Sequence, residues 1–250
     1  MAMASLRRLS RGTCYVNRHG QLSTRSVSFS SVLAQSPPAI YCIGLNYKRH
    51  AAEAGMDIPK FPIFFMKPPT AVVAHGDAIR IPAVCHPEEV DWEVELAVVI
   101  GKAAKNVSAK TALDHVLGYT VANDVSARRW QGKKGGGQWC RAKVFDTFCP
   151  LGPRLVPASE IPDPNQLALS CTVNGEVMQQ SNTSDMIFSV AHIIEFLSEG
   201  TTLLPGTVIL TGTPEGVGFA RKPPLFLKPG DSVTVSIEGI GELTNPVFAE

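Results

Sequence analysis

Two carboxylates stand two residues apart in Asp91-Trp92-Glu93-Val94-Glu95-Leu96-Ala97-Val98-Val99-Ile100-Gly101, at the entry to a strongly apolar run. If that run is a β-strand, side chains alternate with period two, and Glu93 and Glu95 project from the same face. Like charges side by side on a sheet face repel. A hard divalent cation would offset that repulsion, whereas a strand edge in water would merely tolerate it. A third carboxylate, Asp124, follows the apolar stretch Gly118–Asn123, and strand ends with the loops after them are where sites are usually built. Glu93, Glu95 and Asp124 together would form an all-oxygen cluster, suited to Mg2+, Mn2+ or Ca2+ and poorly suited to zinc. Such a cluster around one divalent ion keeps a net negative charge. Arg128, Lys143 and Lys67 could reverse it and admit an anionic substrate. Taken singly, each of these residues reads first as a surface charge.

His50 and Glu53 are spaced i, i+3 on a short helical stretch, so they share a face. A carboxylate beside an imidazole fixes its tautomer and raises its basicity, as in a pair that activates water or abstracts a proton. The loop Lys133-Lys134-Gly135-Gly136-Gly137-Gln138 fails the phosphate-loop pattern, because no Lys-Ser/Thr pair follows its glycines. It reads as a mobile lid with glycine hinges. The backbone amides and hydroxyls of Thr211-Gly212-Thr213-Pro214-Glu215-Gly216-Val217-Gly218, straight after a buried strand, could hold a carboxylate.

The elements that must position these groups are mostly strands. Strand-like runs are expected at Ala39–Gly44, Phe61–Lys67, Ala78–Ile81, Glu93–Ile100, Gly118–Asn123, Leu167–Val173 and Val208–Leu210. In a further run Val233, Val235 and Ile237 alternate with Ser232, Thr234 and Ser236. Asn174-Gly175 is a hairpin signal between Ser170–Val173 and Glu176–Met178. Helix is expected at Asn46 to Ala54, closed by Gly55, and at Ala109–Val116 and Phe188–Ser198. The resulting fold class is α+β and β-rich, a sandwich or rolled barrel with short helices.

A chain of 250 residues with formal net charge +1 has ample sequence for a core. It lacks the basic excess of a dedicated nucleic-acid binder. No apolar run approaches the ~20 residues of a membrane span. The six cysteines are dispersed without a Cys-x-x-Cys pair and read as reduced thiols. Residues 1–35 carry Arg7, Arg8, Arg11, Arg18 and Arg25, many serines and no acid, the first acidic residue being Glu53. That is the composition of an organelle transit peptide rather than of a secretory signal. Mitochondrial import is expected, with a catalytic domain over 36–250.

Together these residues resemble the fumarylacetoacetate hydrolase superfamily. The likeness runs from Tyr41-Cys42-Ile43-Gly44-Leu45-Asn46-Tyr47 to the C-terminal strands. It is carried by Asp91-Trp92-Glu93-Val94-Glu95, Asn123-Asp124-Val125-Ser126-Ala127-Arg128, Lys143-Val144-Phe145-Asp146-Thr147-Phe148 and Thr211-Gly212-Thr213-Pro214. The stretch Arg221–Lys228 is similar to the family's mitochondrial domain-containing protein 2 branch in particular.

The resemblance implies a mixed β-sandwich roll, a homodimer and a bound Mg2+ or Mn2+. By position, Glu93, Glu95 and Asp124 match the family's metal ligands. His50 and Glu53 match its acid–base pair, and Lys143 its active-site lysine. Arg128 and Gln131 match substrate contacts, and Thr213 matches a carboxylate-holding threonine. Two departures stand out: Arg129 occupies a place where relatives commonly carry an acid, and only about 37 residues precede the first strand, where many relatives carry a small N-terminal domain.

Family members act on small 2-oxo and 2,4-dioxo acids, with a cation that chelates the substrate and stabilises an enolate as a Lewis acid. The branch and the leader lead to the expectation of oxaloacetate keto–enol tautomerisation in the mitochondrial matrix. The intact His50/Glu53 pair keeps acylpyruvate hydrolysis and oxaloacetate decarboxylation as alternatives. A non-catalytic metabolite-binding protein is the alternative from another class, since fold alone does not fix function.

Overall fold

A computed structural model describes residues 36–85 and 89–250; the leader over 1–35 lies outside the described residues. In chain order the strands are β1 (Ile40–Gly44), β2 (Ile63–Lys67), β3 (Val72–Val73), β4 (Ile79–Ile81), β5 (Val90–Asp91), β6 (Val94–Ile100) and β7 (Val116–Asn123). Then come β8 (Ser126–Ala127), β9 (Cys149–Pro157), β10 (Ala168–Val173), β11 (Glu176–Asn182), β12 (Val208–Leu210), β13 (Ser232–Ile237) and β14 (Gly241–Ala249). Among the described residues four short α-helices interrupt them: α1 (Lys48–Glu53), α2 (Arg128–Gln131), α3 (Trp139–Lys143) and α4 (Val190–Ser198). Among the described residues the strands form a seven-stranded sheet ordered β2-β1-β12-β6-β7-β9-β3, a five-stranded sheet ordered β11-β10-β13-β14-β4 and the small pair β5-β8. This is the β-rich α+β sandwich that the sequence leads one to expect.

Strand β6 shows why the sheets stack. All seven of its residues are buried, so apart from Glu95 it reads as an apolar run rather than an alternation. Val94, Leu96, Val98 and Ile100 enter the main core, where they meet Leu169, Cys171, Val233, Val235 and Leu243 of the smaller sheet and Ile193 and Ile194 of α4. Ala97 and Val99 point the other way, into a second cluster with Ile40, Cys42, Phe65, Cys149 and Leu210. Burial of each large aliphatic side chain stabilises the fold by about 1.5–3 kcal/mol. Glu95 shares a face with Ala97 and Val99 by the same alternation.

Several elements differ from expectation. The helix expected over Ala109–Val116 is a single 3-10 turn at Ala112–His115. Its last expected residue, Val116, pairs with Ile100 as the start of β7, because ladder bonds to a buried neighbour outweigh a weak local preference. The ladder of β6 starts at Val94, not Glu93; the Glu93 N–H donates instead to the side chain of Asn123 at 3.0 Å. The Asn174-Gly175 turn is present, with φ of +52° and +83°, the left-handed pair that a tight hairpin requires. The five cysteines among the described residues are free.

The same sheet order brings the site together. β1 runs parallel to β12, β12 antiparallel to β6, and β6 antiparallel to β7. The C-terminal ends of β1, β12 and β7 therefore meet the N-terminal end of β6 at one edge. Asn46, just past β1, laces that edge shut. Its amide nitrogen donates to the carbonyls of Thr211 at 2.7 Å and Phe188 at 3.0 Å, and its oxygen accepts from Phe188 N–H at 2.8 Å. Replacement Asn46→Ala strands these buried backbone groups and is expected to cost about 2–3 kcal/mol. Denaturant unfolding measures it; a loss below about 0.5 kcal/mol contradicts the assigned role.

Candidate active site and metal centre

Glu93, Glu95 and Asp124 converge at this edge. All three are buried, and one oxygen from each lies within 4.8 Å of the others. The register explains it. Val94 pairs with Asn123, so the residues just outside that pair, Glu93 and Asp124, stand opposite each other, joined by a backbone hydrogen bond of 2.9 Å. At an effective dielectric of about 20, two such charges repel by roughly 3–4 kcal/mol.

Cations answer part of that repulsion. Lys143 Nζ donates to Glu93 Oε2 at 2.8 Å and to Asp124 Oδ2 at 2.6 Å. Lys67 Nζ meets Asp124 Oδ1 at 2.6 Å, and Arg128 Nη1 meets Glu93 Oε1 at 2.7 Å. Burial alone would push the Glu93 carboxyl up, but Lys143 and Arg128 hold it down at about 2. Glu95 goes the opposite way: burial, then the Asp124 and Glu93 carboxylates beside it, push it well above the usual carboxylate range. Among the described residues its hydrogen bond comes from Gly212 N–H at 2.6 Å. Glu95 is thus the carboxylate whose charge the protein's own cations serve least. Three converging carboxylate oxygens, with no sulfur or imidazole among them, fit a hard divalent cation.

A cavity of about 260 Å3 opens beside the cluster. Glu93, Glu95, Lys143, Arg128, Gln131, Thr213 and His50 line it, together with apolar residues that include Ile43, Leu45, Phe65 and Trp139. The His50 Nδ1 lies 3.2 Å from Glu53 Oε2, and Glu53 in turn accepts from Gly216 N–H at 3.1 Å. That arrangement leaves the other imidazole nitrogen without the carboxylate. Asp124 and Lys67 are absent from the lining: the Lys67 ammonium, fully buried, sits behind Asp124 and also donates to the Val125 carbonyl at 3.2 Å. The glycine loop expected as a lid forms a 3-10 turn at Lys133–Gly135, and Gly132 before it touches the cavity. Arg129, the unusual cation, pairs with Glu89 at 2.9 Å and caps the Val84 carbonyl at 2.8 Å.

Two functional groups carry no local signal in the sequence. Gln179 accepts from Val94 N–H at 3.0 Å and donates to Thr213 Oγ1 at 2.9 Å, orienting the threonine from the neighbouring sheet. Asp91, wholly buried, holds Arg128 Nε at 2.7 Å. An acid two places before Glu93 was visible, but not its partners.

Comparison with known proteins agrees with this architecture. Residues 39–248 match the family profile described as fumarylacetoacetate (FAA) hydrolase, C-terminal. A curated relative, "Oxaloacetate tautomerase fahd2, mitochondrial" of Xenopus laevis, is 51% identical over 90% of this chain and 70% of its own length. The human protein named "Oxaloacetate tautomerase FAHD2A, mitochondrial" is 50% identical, covering 84% of this chain and 67% of its own length. Among solved structures, 2-hydroxyhepta-2,4-diene-1,7-dioate isomerase from Mycobacterium marinum superposes with a TM-score of 0.74 at 47% identity, covering 86% of this chain and 76% of its own.

Loading the carboxylate cluster with a divalent cation should stabilise the fold, by about 2.7 kcal/mol at a hundred times Kd. A thermal scan with and without Mg2+ or Mn2+ is expected to show a rise in Tm that Glu95→Gln removes. An equal rise in both proteins places the cation elsewhere.

Proposed function

Because the chain belongs to the fumarylacetoacetate hydrolase family, we propose that it is a divalent-cation-dependent enzyme of small 2-oxo dicarboxylic acids, and specifically an oxaloacetate keto–enol tautomerase. The observation that carries this reading is one cavity lined by Glu93 and Glu95 of the carboxylate cluster together with Lys143, Arg128 and His50, with Asp124 and Glu53 held against that lining by Lys143 and His50. Relatives about half identical that bear the tautomerase name support the choice of oxaloacetate.

Glu93, Glu95 and Asp124 would hold Mg2+ or Mn2+, which when bound supplies Lewis-acid stabilisation of negative charge on the 2-oxo oxygen. Lys143, held between Glu93 and Asp124, adds positive charge at the same oxygen. Arg128, Gln131 and Thr213 bind and orient the carboxylates of the substrate. His50, with Nδ1 tied to Glu53, takes the proton from C3 and delivers it to the 2-oxo oxygen, and in the reverse direction carries the enol oxygen's proton back to C3. Lys67 acts from behind Asp124, by charge rather than contact. The Ile43, Leu45, Phe65 and Trp139 wall keeps the site dry and strengthens each of these interactions.

The chain is further read as one catalytic domain over 36–250 preceded by a mitochondrial leader, acting in the matrix as a homodimer. Relatives named mitochondrial support the location. Exposed Phe61, Phe64 and Met66 on and before β2 support self-association. Among the described residues no helix is long and apolar enough to cross a membrane.

Supplied with Mg2+ and enol-oxaloacetate, the protein is expected to speed the decay of enol absorbance without releasing stoichiometric pyruvate. Decay no faster than in buffer removes the tautomerase reading, and stoichiometric pyruvate replaces it with decarboxylation. Acylpyruvate cleavage, which the His50/Glu53 pair also suits, is scored on acetylpyruvate in parallel. His50→Gln should lower kcat by about 10²- to 10⁴-fold while leaving the cation-induced rise in Tm intact. Undiminished kcat takes His50 out of the proton transfer.

A further inference from the structure

Asp91 lies outside the cavity lining, yet its carboxylate gathers four donors. Oδ1 accepts from Trp92 N–H at 2.8 Å and Gly218 N–H at 2.7 Å; Oδ2 accepts from Phe219 N–H at 3.0 Å and Arg128 Nε at 2.7 Å. The turn approaches so closely that a Cβ on Gly218 would lie 2.6 Å from Oδ1, which only glycine permits. One buried carboxylate therefore fixes both Arg128 and the backbone under Phe219, whose ring lies 4.6 Å from the Arg128 guanidinium carbon.

A guanidinium is planar, with five N–H donors in a rigid fork. Arg128 Nε is held by Asp91, and Nη1 by Glu93 at 2.7 Å and Gln131 at 2.8 Å. With those two nitrogens fixed, the direction of Nη2 is fixed too. Among the described residues Nη2 has no hydrogen-bond partner and is covered from solvent, while the Arg128 side chain borders the cavity, so a ligand oxygen would reach Nη2 by displacing its cover. A buried charged donor left unpaired is costly, and an anionic oxygen is the partner whose chemistry answers it.

We propose that Asp91 is a positioning residue that sets the Arg128 guanidinium so that Nη2 takes a carboxylate oxygen of the substrate. The inference rests on Arg128 as a substrate-contacting group, as proposed above. Asp91 acts through Arg128 and touches no substrate. In Asp91→Asn an amide that donates can replace the oxygen facing Phe219 N–H and Arg128 Nε, or turn its oxygen there and abandon Gly218. Either way one hold is lost with almost no change of volume.

The test is steady-state kinetics on enol-oxaloacetate at saturating Mg2+, for wild type, Asp91→Asn, Arg128→Met and the double variant. Asp91→Asn is expected to raise KM about 10- to 100-fold and to change kcat by less than about threefold. In the Arg128→Met background it should add nothing further. A KM within twofold of wild type, or the same extra loss in both backgrounds, overturns the proposal. Calorimetric titration with malate, a non-enolising dicarboxylate, repeats the comparison without turnover. If wild type binds malate and Asp91→Asn weakens it, but no enol is consumed, the tautomerase reading fails and the positioning role stands. Malate binding unaffected by Asp91→Asn, or absent from the wild type, overturns the role itself. A far-ultraviolet spectrum matching wild type shows that the variant is folded; if it is not, Arg128→Lys decides alone. That variant keeps the charge but lacks the fork, and malate bound as tightly as by wild type overturns the proposal.

Discussion

Three carboxylates share a space in which an oxygen of each lies within 4.8 Å of the others, and all three residues are buried. Much of the surrounding structure answers that crowding. Lys143 spans Glu93 and Asp124, Lys67 backs Asp124, and Arg128 takes the second oxygen of Glu93. Glu93 and Asp124 each meet two cations, so removing one would weaken the compensation of a buried carboxylate without abolishing it. The protein's own cations serve Glu95 least: no ammonium or guanidinium among the described residues makes an ion pair with it, and it receives a backbone N–H from Gly212. The imbalance is local and directional: it lies at the cavity, where a divalent cation would complete the set.

The sheet order makes that crowding possible. Packing of β6 between two cores fixes its register, and a slip of one residue would turn Glu95 into the aliphatic main core. The cost of the carboxylate cluster is therefore carried by apolar burial on both faces of the same strand. Thr213, Gly212 and the amide of Gly216 reach the site because β12 lies between β1 and β6. The place of the His50/Glu53 pair follows from the same neighbour relation, since α1 begins four residues beyond the end of β1 and Glu53 docks on Gly216.

The carboxylates were legible in the sequence because their spacing is short and their chemistry conspicuous: a period-two pair at a strand entry, and an acid at a strand end. The His50/Glu53 pair was legible for the same local reason. Asp91, Gln179 and Asn46 were not, because their partners are far along the chain; Asp91 and Gly218 are 127 positions apart, Asn46 and Thr211 165. No window of sequence holds both ends of such a bond. Strand β9 was hidden by Pro150, Pro153 and Pro157, residues that ordinarily argue against a strand. Lys67 looked like a cavity cation, but its place at the end of β2, opposite Ile40, sends the side chain behind Asp124.

Membership of the fumarylacetoacetate hydrolase family and the cavity's chemistry meet at one proposal, that Glu93, Glu95 and Asp124 hold a divalent cation. Crystals soaked in Mn2+ and measured at an anomalous wavelength test it directly. A single anomalous peak should lie about 2.1–2.2 Å from an oxygen of each of the three carboxylates. No peak among them, with Lys143 still bridging Glu93 and Asp124 at saturating Mn2+, would show that the protein's own cations satisfy the cluster and that it is not a metal centre.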